Sequence, residues 1–232
     1  MGVVYQVMLR VVRRVGDIPR RGFPTLRPNA FAFDKEWGTE TSRIVWLTNP
    51  MSGNFVHGVR YEACNPDLCR WTIESAGIDY SQFDFIDVGC GKGRALLVAS
   101  RFPFRRLVGI DYSGRLCRAA CRNLKMHVDV ERFEIVRADA ADYCFPRRNL
   151  FIFFYNPFGS HVLNRVLDNL KAIAESHHVV VGWEGQLQHS LEDQSWLVRT
   201  ASAKGVSVHS SRPVASRGAS EMREPAQSHG GG

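Results

Sequence analysis

The stretch "FIDVGCGKGRALLVAS", residues 85–100, decides how this chain is read. An apolar run ends on Asp87, three glycines follow at alternate positions, Gly89, Gly91 and Gly93, and an Ala/Leu/Val pattern then takes up helical spacing. This order predicts a strand that turns sharply into a helix, because glycine accepts backbone angles closed to other residues. Three glycine motifs compete for it. A phosphate-binding GxxxxGK[ST] loop fails because Lys92 is followed by Gly93. The dinucleotide fingerprint GxGxxG fails because Arg94 stands where its third glycine belongs. What remains is D-x-G-x-G-x-G.

Working outward, strands and helices alternate. "FDFIDV" (83–88), "RLVGID" (106–111), "RFEIVR" (132–137), "LFIFFY" (150–155) and "HVVVGW" (178–183) read as buried strands. A helix opens with Asn65 as N-cap and Pro66 at its first position and closes on Gly77; others cover 92–102, about 113–125 with Ser113 as cap, and about 160–175. Leu163, Val166, Leu167, Leu170 and Ile173 trace one apolar stripe on the last. The alternation predicts a doubly wound α/β fold with a mostly parallel, Rossmann-like sheet, which binds ligands at the carboxyl ends of its strands. Residues 65–211 form the predicted domain, 1–64 an accessory segment, and 212–232, rich in Arg, Ser, Gly, Pro and Glu, a disordered tail. Only "VSVHS" after "QSWLVRTASAK" reads as a strand near that end, so the sheet is expected to be incomplete at its C-terminal edge.

Composition narrows the classes. The 232 residues suit one sizeable core, and 30 Lys plus Arg against 23 Asp plus Glu give a net charge of +7, which permits an anionic partner without requiring one. Six cysteines without a CxxC pair argue against zinc, and no metal site is expected; free thiols point to a reducing cytoplasm. The N-terminal "MGVVYQVMLRVVRRVGDIPRR" has its charges after the apolar run, which Arg10 interrupts, so neither a secretory signal nor a membrane span fits; Gln6 breaks the myristoylation pattern. An Arg-rich transit peptide is one reading of it, and an accessory helix lying on the domain is the favoured one.

The Asp87, Gly89, Gly91, Gly93 motif resembles the first motif of the class I S-adenosylmethionine-dependent methyltransferases. Later segments carry the resemblance further: "VGIDYS" with Asp111 and Tyr112, "VRADAADY" with Asp139, and "FFYNPFGS" after the fourth strand. The resemblance implies a cofactor, S-adenosylmethionine. Asp111 would accept its ribose hydroxyls, Tyr112 lie against the adenine, Asp139 bind the adenine amino group, and Asp87 support the loop and the methionine amino group. "RYEACNPDL" resembles a Tyr-x-Pro-x-Pro segment that closes over the methionine end; Tyr61 and Pro66 match, while Ala63-Cys64 replaces the usual Pro-Thr or Pro-Ser. "GTETS" (38–42) resembles another cofactor-contacting segment but lies far ahead of Asp87, and is read as a turn. A lone Asp at a strand end is often only a cap, which is the plain alternative for each acid.

Asn156, Pro157 and Phe158 are the candidate acceptor residues. Amine acceptors need their hydrogens held by groups such as an Asn amide so that the lone pair faces the methyl. The segment departs from the [DNS]-P-P-[YF] of adenine and glutamine amino-methyltransferases and is more similar to the N-x-F segment of non-SET protein-lysine methyltransferases. A protein lysine is therefore the favoured acceptor, neutralised by an aromatic channel of Tyr155, Phe158 and Trp183, with ordinary core packing as the alternative. Nucleic-acid or small-molecule methylation, or an inactive cofactor-binding module, are the other readings; a nicotinamide-dependent reductase is disfavoured by Arg94. Arg115, Arg118, Arg122 and Lys125 share one helix side, as a phosphate-binding surface or, more simply, a solvated face. His161 is a helix-start residue or a substrate-facing base.

Overall fold

The computed structural model describes residues 28–43, 45–46, 60–156, 159–185, 189–203 and 205–212. Helix α1 (Pro28–Trp37) is followed by a two-residue antiparallel pairing of β1 (Val45–Trp46) with β2 (Arg60–Tyr61). Then come α2 (Pro66–Glu74), β3 (Asp84–Val88), α3 (Arg94–Ala99), β4 (Arg106–Asp111), α4 (Gly114–Lys125), β5 (Phe133–Arg137), β6 (Leu150–Tyr155), α5 (Ser160–Ala174), β7 (Val179–Glu184), α6 (His189–Glu192), β8 (Val198–Ala203) and β9 (Val206–Ser210). Asn65 caps α2 as the sequence predicts, its side chain accepting from the amides of Asp67 and Leu68.

The main sheet has seven strands in the order β5-β4-β3-β6-β7-β9-β8, parallel from β5 to β7. Alternation along its strands splits the core in two. Phe85, Phe151 and Phe153 face α2, α3 and α4, with the Phe85 and Phe151 rings stacked 5.4 Å apart. Ile86, Ile152 and Phe154 face the apolar stripe of α5. The chain leaves β3 toward β4 on one side and returns to β6 on the other, so the order reverses between β3 and β6. A ligand crevice belongs there in such a sheet.

The expected gap at the C-terminal edge is corrected. "QSWLVRTASAK" contains β8, which pairs antiparallel with β9, itself antiparallel to β7. The strand hides from pattern reading because exposed and half-buried positions fill it without apolar alternation. Its register shifts between Arg199 and Ala201, leaving Thr200 as a bulge. The expectations for residues 1–21 and 213–232 lie outside the described residues. Among the described residues no helix is long and apolar enough to cross a membrane, and no cluster of three or more metal-ligating side chains occurs.

Candidate active site

The site forms where β3 meets its helix. The backbone turns at Gly89, Gly91 and Gly93 with φ of 84°, 54° and 84°, and Gly93 stands as N-cap of α3. Gly91 is needed twice over: its φ lies in the left-handed region, and a Cβ there would collide with the Tyr61 ring packed on it. The Tyr61 hydroxyl donates to the Thr41 carbonyl oxygen at 2.7 Å, which fixes the ring over the loop.

Asp111, at the end of β4, fastens the turn from the other side. One carboxylate oxygen accepts the Gly91 amide at 3.0 Å and the other the Ser113 amide at 2.8 Å. Asp87 ends β3 and is 4% exposed, Asp111 7%. Burial pushes Asp87 up to about 8, with the neighbouring Asp111 charge adding to the rise. Burial also lifts Asp111, to about 6, against the pull of its two amide donors.

Between the β3 and β6 ends lies a small cleft whose lining includes Tyr61, Glu62, Cys64, Asp87, Gly89, Arg94 and Tyr155. Of the predicted site residues, Tyr61, Asp87 and Gly89 line it, and Gly91, Gly93 and Asp111 build the loop beside it. Tyr112 is half-buried next to Asp111. Asp139 stands apart at the end of β5, where its carboxylate caps the turn Ala140–Asp142 by accepting the Ala141 amide at 3.0 Å.

Asn156 follows β6, exposed, with φ of 39°, the left-handed region that Asn tolerates better than most residues. Its amide N–H donates to the Glu184 carbonyl oxygen at 3.0 Å, and its side-chain oxygen lies against Gly185. Pro157 and Phe158 lie outside the described residues. Trp183 is fully buried against Phe154, ring centroids 5.4 Å apart, and belongs to the core; the aromatic channel predicted to include it is corrected on that point. His161 is an exposed residue in the first turn of α5.

Matching from β3 into β7, the family model described as a methyltransferase domain covers residues 85–182. This segment is a methyltransferase domain. The domain is of class I and its cofactor is S-adenosylmethionine. Solved structures similar to the chain include a protein proposed as an RNA methyltransferase from Pyrococcus horikoshii, 16% identical, covering 78% of this chain and 94% of that one at a TM-score of 0.50. Precorrin 8w decarboxylase from Methanobacterium thermoautotrophicum is 17% identical over 71% of this chain and 94% of its own, TM-score 0.46. An RNA methyltransferase from Salinibacter ruber, solved with S-adenosyl-L-homocysteine, is 20% identical over 65% and 92%, TM-score 0.40. At these identities the likeness is one of fold. No curated protein matches the chain in sequence.

The residues of the methyltransferase domain fit this cofactor. Two desolvated carboxylates suit a ligand that brings positive charge, and a glycine turn without Cβ atoms admits a close backbone approach. Pattern reading missed one part of the site: the turn Thr39–Ser42, treated as plain connection, binds Asp34 and Arg94 beside the glycine loop. Its signal was present in the polar run "GTETS" next to an arginine in the glycine motif, but sequence distance concealed the pairing.

Proposed function

We propose that the methyltransferase domain methylates an amine nitrogen, with a protein lysine as the favoured acceptor. When bound, the cofactor supplies an electrophilic methyl group on a sulfonium. The observation that carries the reading is Asn156: an exposed amide at the end of β6, held in a left-handed backbone beside the cleft strand. Backbone strain of this kind costs on the order of 1–3 kcal/mol and persists where its surroundings impose it. The Asn156 side-chain oxygen is assigned to accept one hydrogen of the amine, so that the lone pair is presented to the methyl; Pro157 and Phe158 are assigned to the same acceptor side. Phe153 and Tyr155 give the cleft aromatic contact for the alkyl chain of an acceptor, beside the carboxylates of Glu62 and Asp87, which favour a cationic group.

On the cofactor side, the backbone of Gly89, Gly91 and Gly93 is assigned to the close approach and Tyr61 to the cover over the methionine end. Asp87 is assigned to the ammonium and Asp111 to the ribose hydroxyls. A carboxylate has about four acceptor sites, so Asp111 retains capacity beyond its two amide donors. Tyr112 and Asp139 are assigned to the adenine.

A second reading, a nucleobase amine, is favoured by α4. Arg115, Arg118, Arg122 and Lys125 are exposed on it, and the helix carries no acidic residue.

Incubation with methyl-labelled S-adenosylmethionine and a cell extract separates the readings. Label recovered as methyl-lysine, and lost with Asn156→Ala, is the expected result. Label in RNA alone selects the second reading, and label only in small molecules or in nothing overturns both.

A further inference from the structure

Three separate segments of the chain converge on one guanidinium. Arg94, the first residue of α3, is 2% exposed. Its Nε donates to the Thr41 hydroxyl at 2.8 Å, and its terminal nitrogens donate to the Ser42 hydroxyl at 2.7 Å and to the Cys64 carbonyl oxygen at 3.2 Å. The Phe33 ring lies under it at 5.0 Å, and an Asp34 carboxylate oxygen stands 3.8 Å away. Asp34 in turn accepts the amides of Thr41 at 2.9 Å and Ser42 at 2.7 Å. A second link runs parallel: Lys92 pairs with Glu40 at 3.2 Å, and the Asn123 amide bridges the Lys92 carbonyl oxygen and the Glu40 N–H.

The arrangement is costly by ordinary rules. A buried cation loses its hydration, and a basic residue in the first turn of a helix opposes the helix dipole. The partners named here, Thr41, Ser42, Cys64 and Asp34, all lie outside the strands of the main sheet. What Arg94 does share is the cleft: it lines the same cavity as Asp87, Gly89 and Tyr61. Through its partners it fixes Thr41, whose carbonyl oxygen holds the Tyr61 hydroxyl, and Cys64, which also lines the cleft. Residues 61–64 line the cleft together with Asp87 and Gly89, and the turn Thr39–Ser42 supports them through Thr41 and Arg94 without lining the cleft itself.

We propose that Arg94 is a positioning residue for the amino-acid end of S-adenosylmethionine: it locks the turn Thr39–Ser42, Tyr61 and Cys64 against the glycine loop and so preforms the cleft wall that faces Asp87. This rests on S-adenosylmethionine as the cofactor and concerns one end of it only. The adenosine end is assigned to Asp111, Tyr112 and Asp139, none of which lines the cleft beside Arg94.

The test uses two ligands that differ at that end. S-adenosylhomocysteine keeps the amino-acid moiety and 5′-methylthioadenosine lacks it. In calorimetric titrations of the full chain, Arg94→Met is expected to weaken S-adenosylhomocysteine by about 30-fold and 5′-methylthioadenosine by less than about 2-fold. Arg94→Lys should fall close to Arg94→Met, because an ammonium does not reproduce the fork of the guanidinium. Ser42→Ala, which removes one of its bonds and leaves the buried charge paired, reads the same ratio in a variant whose folding is not at risk, with a loss of about 5-fold confined to S-adenosylhomocysteine. Equal losses for both ligands, or no loss for either, overturn the proposal.

Discussion

Two loops leave the same edge of the sheet from neighbouring parallel strands, and they are built in opposite ways. The loop after β3 is fastened at every step: Asp111 holds the Gly91 amide, the Ile110 carbonyl oxygen accepts both Gly89 and Cys90, and Tyr61 covers it. The segment after β6 begins with one exposed residue, Asn156, in a strained conformation. A cofactor that is the same in every turnover favours a rigid cradle, whereas an acceptor that must enter and leave favours an exposed group. The difference teaches where to look for specificity: not in the glycine turn but past the end of β6.

Substitutions break the comparison most sharply at Asp111. Asp111→Ala removes the anchor of the Gly91 amide together with the carboxylate assigned to the ribose, and calorimetry should show S-adenosylmethionine affinity reduced about 1000-fold. On the other loop, Asn156→Ala should leave cofactor affinity within about 2-fold and lower kcat about 100-fold in a methyl-transfer assay. Asn156→Gly sharpens the point: it accepts the φ of 39° without strain, so stability should be kept while kcat falls just as far.

Asp87 supplies a pH signature. Its folded-state pKa of about 8 lies above its ordinary value of 3.8, so the stability it lends is fully present below about pH 3.8 and is lost as pH rises through about 8. Asp87→Asn is therefore expected to melt higher than the parent at about pH 8.5 and to match it near about pH 4, read by thermal unfolding. For the cofactor the sign reverses, since an ammonium pairs with the ionised form. Affinity of the parent should climb by up to about 10-fold per pH unit between about pH 6 and 7.5, and the Asn variant should lose that slope. The smallest effect belongs to Asp139→Asn, which keeps the cap on Ala141: a loss of cofactor affinity of about 3-fold in the same titration, against none if the cap is its whole role.

The parallel strands, their helices and the glycine turn were legible in the sequence because each carries a local pattern: alternation or an apolar run for β3 to β7, Asn65 and Ser113 as caps, and the D-x-G-x-G-x-G spacing. What escaped was set by contacts distant in the chain. Arg94 read only as a missing glycine, since nothing local says that its partners are Asp34, Thr41 and Ser42. Trp183 read as a channel wall because aromatic residues near a strand end look alike whether they face a cleft or the core. Strand β8 was missed because backbone pairing with β9, not apolar alternation, holds it.

The bulge at Thr200 has a bearing on solubility. Strand β8 ends the sheet, and an edge strand offers its unpaired N–H and C=O groups to any second strand that lies flat along it. An extra residue between Arg199 and Ala201 bends and twists that border, and the Arg199 to Glu192 ion pair, 2.6 Å, places charge beside it. Deleting Thr200 would straighten the border while leaving the cleft intact. Such a chain should still bind its cofactor, and light scattering should find it sticking to its own copies.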